Sequence, residues 1–398
     1  MHKYLTADIP GTGGLIKETP EDFLVAEIPL YTPEGVGEHT FAEIEKRGIT
    51  TLEALRRIAR AVNLPEREIG YAGMKDARGV TRQTISIPRI SPEFLLALEL
   101  PGIRIIAAAP HRNKLKLGHL SGNRFRIRIR GVGAEANAKT EKVLSILNKR
   151  GVPNYFGEQR YGAQGNSHLI GRALLRREYR EAVDAVMGDP AQVRDERWQA
   201  AIKAYLRGDP GESLRLFPGH CRTERAILQR LEKRPDAWEK AFQAVHPRLK
   251  GLYLSAFQSS LFDRLLDERI DTFDRVMTGD LAWKHDNGAC FLVEDEAREA
   301  ERAESFDISP SGPLFGCKMK LPAGEPLAME ESLLQSEGLT RADFDPPGGL
   351  RLEGERRPLR VPLGAAQLQQ DDAGVLLEFS LPKGAYATSV LREIMKTG

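Results

Sequence analysis

Apolar and polar residues alternate in several short runs near the start of the chain. Asp22-Phe23-Leu24-Val25-Ala26-Glu27-Ile28 and His39 to Ile44 carry the two-residue period of strands, with a turn at Pro33, Gly35 and Gly37 between them. Leu15-Ile16-Lys17 reads as one more short strand. The period then changes to that of a helix: Leu52, Leu55, Ile58, Ala59 and Val62 form one stripe, Thr50 with Glu53 makes a capping box, and Pro65 marks the stop. A turn containing Asp76 leads into a strand at Thr84-Ile85-Ser86-Ile87. From Lys114 to Arg130 the pattern predicts two strands joined through Gly118, Ser121 and Gly122. Within them Phe125, Ile127 and Ile129 alternate with Arg124, Arg126, Arg128 and Arg130, giving one buried face and one row of guanidinium groups. A helix is expected near Ala138 to Lys149.

The texture shifts at the aromatic and glycine-rich turn Gly151-Val152-Pro153-Asn154-Tyr155-Phe156-Gly157, where a domain junction is expected. Helical spacing then dominates over Arg172 to Met187, Glu224 to Lys233, Ala237 to Val245 and Leu252 to Arg269. These helices keep no fixed period, which excludes a solenoid. A strand returns at Val375 to Leu381, and Thr388 to Met395 reads as a last helix after the Pro382/Gly384 turn.

At 398 residues and 41% hydrophobic content, the chain has room for two domains with sizeable cores. No apolar run approaches the roughly 20 residues of a membrane span, and Met1 to Pro10 lacks the pattern of a secretory leader. Cys221, Cys290 and Cys317 are odd in number and far apart, so neither a disulfide framework nor a zinc site is expected, and the compartment is expected to be the cytoplasm. His220 beside Cys221 reads as an incidental neighbour rather than a thiolate pair. The net charge of +2 conceals an uneven distribution. Seven Lys or Arg and no acid lie between Arg112 and Arg130, whereas Glu294, Asp295, Glu296, Glu299, Glu301, Glu304 and Asp307 make an acidic segment. An anionic partner is therefore expected at the N-terminal region, although a strand of alternating charge is also an ordinary solvated surface.

Nucleotide and metal signatures are missing. Gly11-Thr12-Gly13-Gly14 lacks the Lys and Ser/Thr of a phosphate-binding loop, Gly162 to Gly171 does not fit a dinucleotide fingerprint, and the eight His form no metal pattern. The strongest chemical candidate is Gly70-Tyr71-Ala72-Gly73-Met74-Lys75-Asp76-Ala77-Arg78-Gly79. It places one carboxylate in a glycine-bounded turn near Lys75, Arg78 and Arg82, which would keep Asp76 ionised and could bind phosphate. On this pattern alone, a surface turn capped by Asp76 with its cations facing water is the favoured description.

The ordered motifs resemble the TruD-type tRNA pseudouridine synthases, a family that also includes the eukaryotic Pus seven type. They are Gly11-Thr12-Gly13 and Ile16-Lys17 before Pro20-Glu21-Asp22-Phe23, Gly37-Glu38-His39, Ala72-Gly73-Met74-Lys75-Asp76 with Val80-Thr81, Gly122-Asn123-Arg124-Phe125, Val152-Pro153-Asn154-Tyr155-Phe156-Gly157, and Ala387-Thr388-Ser389-Val390. The resemblance implies an α+β fold: a pseudouridine synthase catalytic domain with a mixed, largely antiparallel sheet (1–156 plus 357–398), interrupted by a helix-rich TRUD insertion domain (157–356) with extra helices between about Asp189 and Arg248. It also implies an isomerase converting uridine to pseudouridine in tRNA, at position 13 as in bacterial members, without cofactor or metal. No obligatory protein partner is evident in the sequence, and a monomer is expected.

By the same resemblance Asp76 is the catalytic aspartate, acting either by nucleophilic addition or by deprotonating the ribose to give a glycal, and Lys17 keeps it charged and oriented. Phe23, Asn123, Phe125 and Tyr386 line the uracil pocket; Tyr386 stands where bacterial relatives carry Phe, and Met74 where Gln or Leu is common. Lys114, Lys116, Arg124, Arg126, Arg128 and Arg130 would hold the RNA backbone. Two other functions compete with this: an RNA-binding protein that keeps the fold without turnover, and a metal-dependent RNA hydrolase using Asp76 as a ligand.

Overall fold

The structure, a computed structural model, describes residues 2–345 and 350–397. In chain order it opens with β1 (Phe23–Pro29), β2 (His39–Arg47), α1 (Thr51–Ala61), β3 (Gly70–Tyr71), β4 (Val80–Pro88), α2 (Pro92–Leu96), β5 (Ile103–His111), β6 (Leu120–Ile129) and α3 (Ala136–Arg150). Short β7 (Val152–Pro153) precedes a helical series: α4 (Ser167–Leu175), α5 (Tyr179–Met187), α6 (Glu196–Leu206), α7 (Pro210–Leu216), α8 (Arg222–Lys233), α9 (Trp238–Phe242) and α10 (Pro247–Arg269). Then come β8 (Leu281–Lys284), β9 (Cys290–Leu292), α11 (Glu296–Glu304), β10 (Ile308–Leu314), α12 (Gly324–Ser336), β11 (Glu355–Pro358), β12 (Arg360–Val361), β13 (Gly364–Asp371), β14 (Gly374–Pro382) and α13 (Ala387–Met395). The chain divides into two units, crossing from the first to the second at 152/153 and back at 360/361.

The first unit holds a sheet of eight strands in the order β13-β14-β6-β1-β4-β2-β5, with β3 added beside β4. β1 and β4 run parallel and the other pairs antiparallel, so the sheet is mixed and largely antiparallel. One rung of register partners crosses five strands: Lys46, Thr81, Val25, Phe125 and Phe379. Directly paired residues point to the same side of a sheet, so these five share a face. That face carries two hydrophobic layers. Phe23, Val25, Phe125, Ile127 and Phe379 pack with Val143 and Leu147 of α3 and Val390 and Ile394 of α13. Ala42, Ile44, Ile85, Ile87 and Ile105 pack with Ala54, Leu55 and Ile58 of α1. The seam between the layers, along β1 and β4, is left to polar groups.

α1 begins as the sequence predicts, because the Thr50 hydroxyl accepts from the Glu53 N–H at 3.1 Å, but the reciprocal half of the capping box is not used. The Glu53 carboxylate turns to Arg56 and Arg57 instead. Three other expectations change. Leu15 makes only an isolated bridge to Arg130 rather than a strand. Lys114 and Lys116 lie on a loop, held by the Leu115 N–H donating to Ser86 Oγ at 2.9 Å and the Gly118 N–H donating to the Ala72 carbonyl at 2.8 Å, while Ser121 and Gly122 fall inside β6. The helix expected over Arg172 to Met187 is two, because Arg177 adopts φ +58° and the Glu178 N–H caps the Ala173 carbonyl.

The second unit is mainly helical, with α10 buried over much of its circumference. Helical periodicity did not foretell its four-stranded antiparallel sheet, β11-β10-β8-β9. That sheet contains prolines and glycine within β10, which obscure a strand signal. Among the described residues no helix is long and apolar enough to cross a membrane, and no group of three or more His, Cys, Asp or Glu is placed to hold a metal ion.

Candidate active site

Asp76 sits in the turn between β3 and β4, at the polar seam. Backbone proximity shapes this turn. A Cβ on Gly79 would lie 2.5 Å from the Phe23 carbonyl oxygen, and one on Gly70 2.3 Å from that of Leu115, so both positions exclude a side chain. Gly73 has open space and needs no such explanation.

Among the described residues only one cation meets the Asp76 carboxylate, and it comes from 59 residues upstream. The Lys17 ammonium donates to Oδ2, and the Arg78 N–H donates to Oδ1 at 2.9 Å. The neighbours in sequence do otherwise, which corrects the expectation that their side chains keep Asp76 ionised. The Lys75 side chain turns to Glu27 and Asn123, Arg82 pairs with Glu45 at 2.9 Å, and Arg78 contributes its backbone. Burial pushes the Asp76 carboxyl upward, but the Lys17 hydrogen bond, the N–H groups of Arg78 and Ala77 and the Lys17 charge outweigh it and hold the group below its ordinary value. Asp76 keeps 20% side-chain exposure and Lys17 24%, so the pair is half-sheltered and open to a ligand.

Lys17 is placed by the N-terminal segment. Thr12 and Gly13 donate backbone N–H groups to the carbonyls of Ile394 and Met395 at the end of α13, while the buried Glu393 carboxylate accepts from Leu5 N–H, Thr6 N–H and Thr6 Oγ1 at 3.1, 3.0 and 2.8 Å. Lys17 itself has φ +62°, an uncommon conformation for a residue with a Cβ. Its ammonium lies 4.2 Å from the centre of the Phe23 ring, a cation–π contact that steadies it over β1.

A second lysine holds the turn from below. Lys46, 1% exposed, donates Nζ to the carbonyl of Asp76 at 2.7 Å and to that of Ile49 at 2.8 Å. Beside it, the Lys75 N–H donates to Thr51 Oγ1 at 2.9 Å, and that hydroxyl donates to Gln83 Oε1 at 2.9 Å. The Lys75 ammonium is buried against Glu27 at 3.2 Å and donates to Asn123 Oδ1 at 2.5 Å. Burial raises the Glu27 carboxyl and lowers the Lys75 ammonium, each opposed by the charge of the other.

The structure thus brings Asp76, Lys17, Phe23 and Asn123 into one neighbourhood. Phe23 and Phe125 are each only 6% exposed and belong to the core beneath, Phe125 stacking on Phe379 with centroids 5.3 Å apart, so they form a floor rather than exposed platforms. Tyr386 is the half-buried residue that opens α13.

The arginine row is a different matter. The rung through Phe125 puts Arg124, Arg126 and Arg128 on the opposite face of the sheet from Lys46 and Phe125. Arg126 pairs with Glu378 at 3.1 Å, Arg128 with Asp371, and Arg130 forks onto buried Asp22 with three bonds of 2.7 to 3.0 Å. The acid-free run of sequence is therefore not acid-free in space, because neighbouring strands and the turn before β1 supply the carboxylates. Lys114, Lys116 and Arg124 have no ion-pair partner among the described residues, though Lys114 donates to the Arg67 carbonyl at 2.6 Å.

Residues that sequence reading passed over are Lys46, Glu27, Asp22 and Glu393. A signal existed for two of them: Glu27 follows Phe23 and Val25, and Lys46 follows Ala42 and Ile44, at the parity reserved for the core. An ionisable side chain at a core-facing strand position must find partners, and here both do so at the Asp76 turn.

The chain is similar throughout its length to proteins of one kind. A family model described as "TruD: tRNA pseudouridine synthase D (TruD)" matches residues 1–394. The tRNA pseudouridine synthase D of Geotalea daltonii is 66% identical over 397 residues, covering 100% of both chains, and that of Geobacter metallireducens is 67% identical over 396 residues, covering 100% of this chain and 98% of the relative. The crystal structure of the Methanosarcina mazei TruD protein superposes with a TM-score of 0.87 at 27% identity, covering 100% of this chain and 97% of that one. With sequence and fold in agreement over the whole length, the chain belongs to the TruD family of tRNA pseudouridine synthases.

Proposed function

We propose that this protein isomerises uridine to pseudouridine in tRNA, at position 13, with Asp76 as the reacting carboxylate. The observation that carries the proposal is the half-sheltered Asp76, held ionised by Lys17 and by backbone N–H groups of its own turn, with its carbonyl held by Lys46. The reaction breaks the bond from ribose C1′ to uracil N1 and forms one from C1′ to C5; the C5 proton leaves and N1 takes one up, so no atom or electron is gained from outside. An ionised carboxylate suits either route. It can add to C1′ and hold the sugar as an ester while the uracil turns, or remove a ribose proton to give a glycal.

The target base must leave its stack, at a cost of a few kcal/mol that pocket contacts offset. Phe23 and Phe125 supply an apolar floor, Tyr386 a side wall and Asn123 a polar contact to the base. Lys114, Lys116 and Arg124, which have no carboxylate partner among the described residues, are the groups proposed to meet the RNA backbone.

The test is tritium release from tRNA labelled at uracil C5, with the position mapped by carbodiimide modification and primer extension. Native protein should release tritium and mark position 13, and Asp76→Asn should bind tRNA without release. Full activity in Asp76→Asn would refute the site assignment, and a mark elsewhere would refute the position.

A further inference from the structure

Lys75 is the residue of the turn whose direction the sequence disguises. It stands next to Asp76, yet its side chain is only 6% exposed and its ammonium lies between the Glu27 carboxylate and the Asn123 side chain. Glu27 is held in turn at the β1–β4 seam, where its side chain is 2% exposed and its Oε1 lies 3.4 Å from the Thr84 N–H. Register fixes the remaining geometry, since Glu27 and Asn123 are directly paired on β1 and β6 and so project to the same face.

An ammonium has three donors and no acceptor. Whatever amide stands against Lys75 must therefore turn its oxygen toward it, and the Asn123 Oδ1 does so at 2.5 Å. This settles which way the amide faces by chemistry rather than by choice of atom label. The consequence lies on the other side of Asn123. Its Nδ2 group has no protein acceptor among the described residues, and Asn123 is half-exposed, so the donor end of the amide is left for a ligand.

We propose that the buried Glu27–Lys75 pair is an orienting device for Asn123, locking its amide so that the NH2 group donates to a carbonyl oxygen of the target uracil. Lys75 is thus a positioning residue that acts through Asn123, and Glu27 a counter-charge that lets an ammonium remain in the core. The inference rests on the uridine-isomerising reading above. If the carbonyl is O4, the same lock discriminates against cytosine, which carries an amine there and would meet donor with donor. A freely rotating amide would accept from such an amine and lose the distinction.

The experiment compares initial rates of isomerisation on tRNA carrying uridine, 2-thiouridine or 4-thiouridine at the target position, because sulfur accepts hydrogen bonds weakly. Native activity on uridine is the control for the reading itself; its absence would defeat the reading and this inference together. Given that activity, one of the two thio substrates should be slower by roughly tenfold with native protein, the worth of one hydrogen bond. In Asn123→Asp, which keeps Lys75 satisfied but turns an acceptor outward, kcat/KM on uridine should fall about a hundredfold and the thio penalty should vanish. In the charge-neutral double variant Lys75→Met with Glu27→Gln, the penalty should shrink below about twofold while tRNA binding persists, a change that general loosening of the fold would not produce. Equal native rates on all three substrates, or the full penalty retained in a folded double variant, would overturn the proposal. If the double variant does not fold, retention of the penalty in Asn123→Asp overturns it on its own.

Discussion

Replacing Lys46 by Met should damage turnover far more than stability. The Lys46 ammonium holds the carbonyls of Asp76 and Ile49 at 2.7 and 2.8 Å, with the Lys75 carbonyl at 3.5 Å. Two hydrogen bonds to a charged donor are worth about 1.5–3 kcal/mol each, so their loss costs about 3–6 kcal/mol. Against this stands the burial of the charge itself. Burial lowers the Lys46 ammonium from 10.5 to about 8, with the Asp76 charge opposing and that of Lys75 adding to the effect. Removing the ammonium returns roughly 3 kcal/mol at about 1.4 kcal/mol per tenfold, leaving a net loss between about zero and 3 kcal/mol. Turnover has no such compensation: a carboxylate whose backbone moves by an ångström loses on the order of a hundredfold in rate. Expected, then, are a kcat about a hundredfold lower, an unchanged KM and tRNA affinity, and a thermal midpoint lower by a few degrees. The sign of the pH effect follows from the same group. The folded protein binds fewer protons on Lys46 than the unfolded chain between pH 8 and 10.5, so this lysine's unfavourable contribution is relieved as pH rises through that window, and the relief should be missing from Lys46→Met. Single-turnover kinetics with parallel thermal melts make the comparison. A variant with kcat within threefold of native would refute the anchoring argument.

Four further outcomes are expected. In Lys17→Met, burial of Asp76 loses its main opponent, so the carboxyl should rise and the acid limb of the pH–rate profile should move upward; a profile identical in shape to native would contradict the pairing. Asp22 is held below its ordinary carboxyl value chiefly by the Arg130 hydrogen bonds, so its stabilisation is present above pH 3.8 and is lost as pH falls through the depressed value. Asp22→Asn should therefore lower the denaturation midpoint near neutral pH yet flatten the acid dependence. Glu393→Ala strips three bonds from Leu5 and Thr6 and should cost about 2–4 kcal/mol in denaturant unfolding, with the N-terminal segment losing hydrogen-exchange protection first. Gly79→Ala should reduce kcat strongly through the clash with the Phe23 carbonyl, whereas Gly73→Ala, with open space around it, should leave kcat within about threefold.

The main strands and helices of the first unit were legible because each buries one face. β1, β2, β4, β6, β14, α1, α3 and α13 all carry the period of their element, and Thr50 announced the start of α1. Asp76 stood out as the candidate carboxylate through ordered motifs spread from Gly11 to Val390 rather than through its local turn. Charge is where local reading failed. Lys75 and Arg82 lie near Asp76 in sequence but direct their charged ends elsewhere, Arg78 gives it only a backbone N–H, and Lys17 reaches it from 59 residues upstream. The arginines of β6 looked unopposed because Glu378, Asp371 and Asp22 lie far along the chain, yet strand pairing and the turn before β1 bring them into contact. Backbone periodicity is a local property that each segment expresses by itself. An ion pair depends on distance in space, and only the register of β1, β2, β4 and β6 decided that Lys46, Glu27 and Asn123 would meet the turn that carries Asp76.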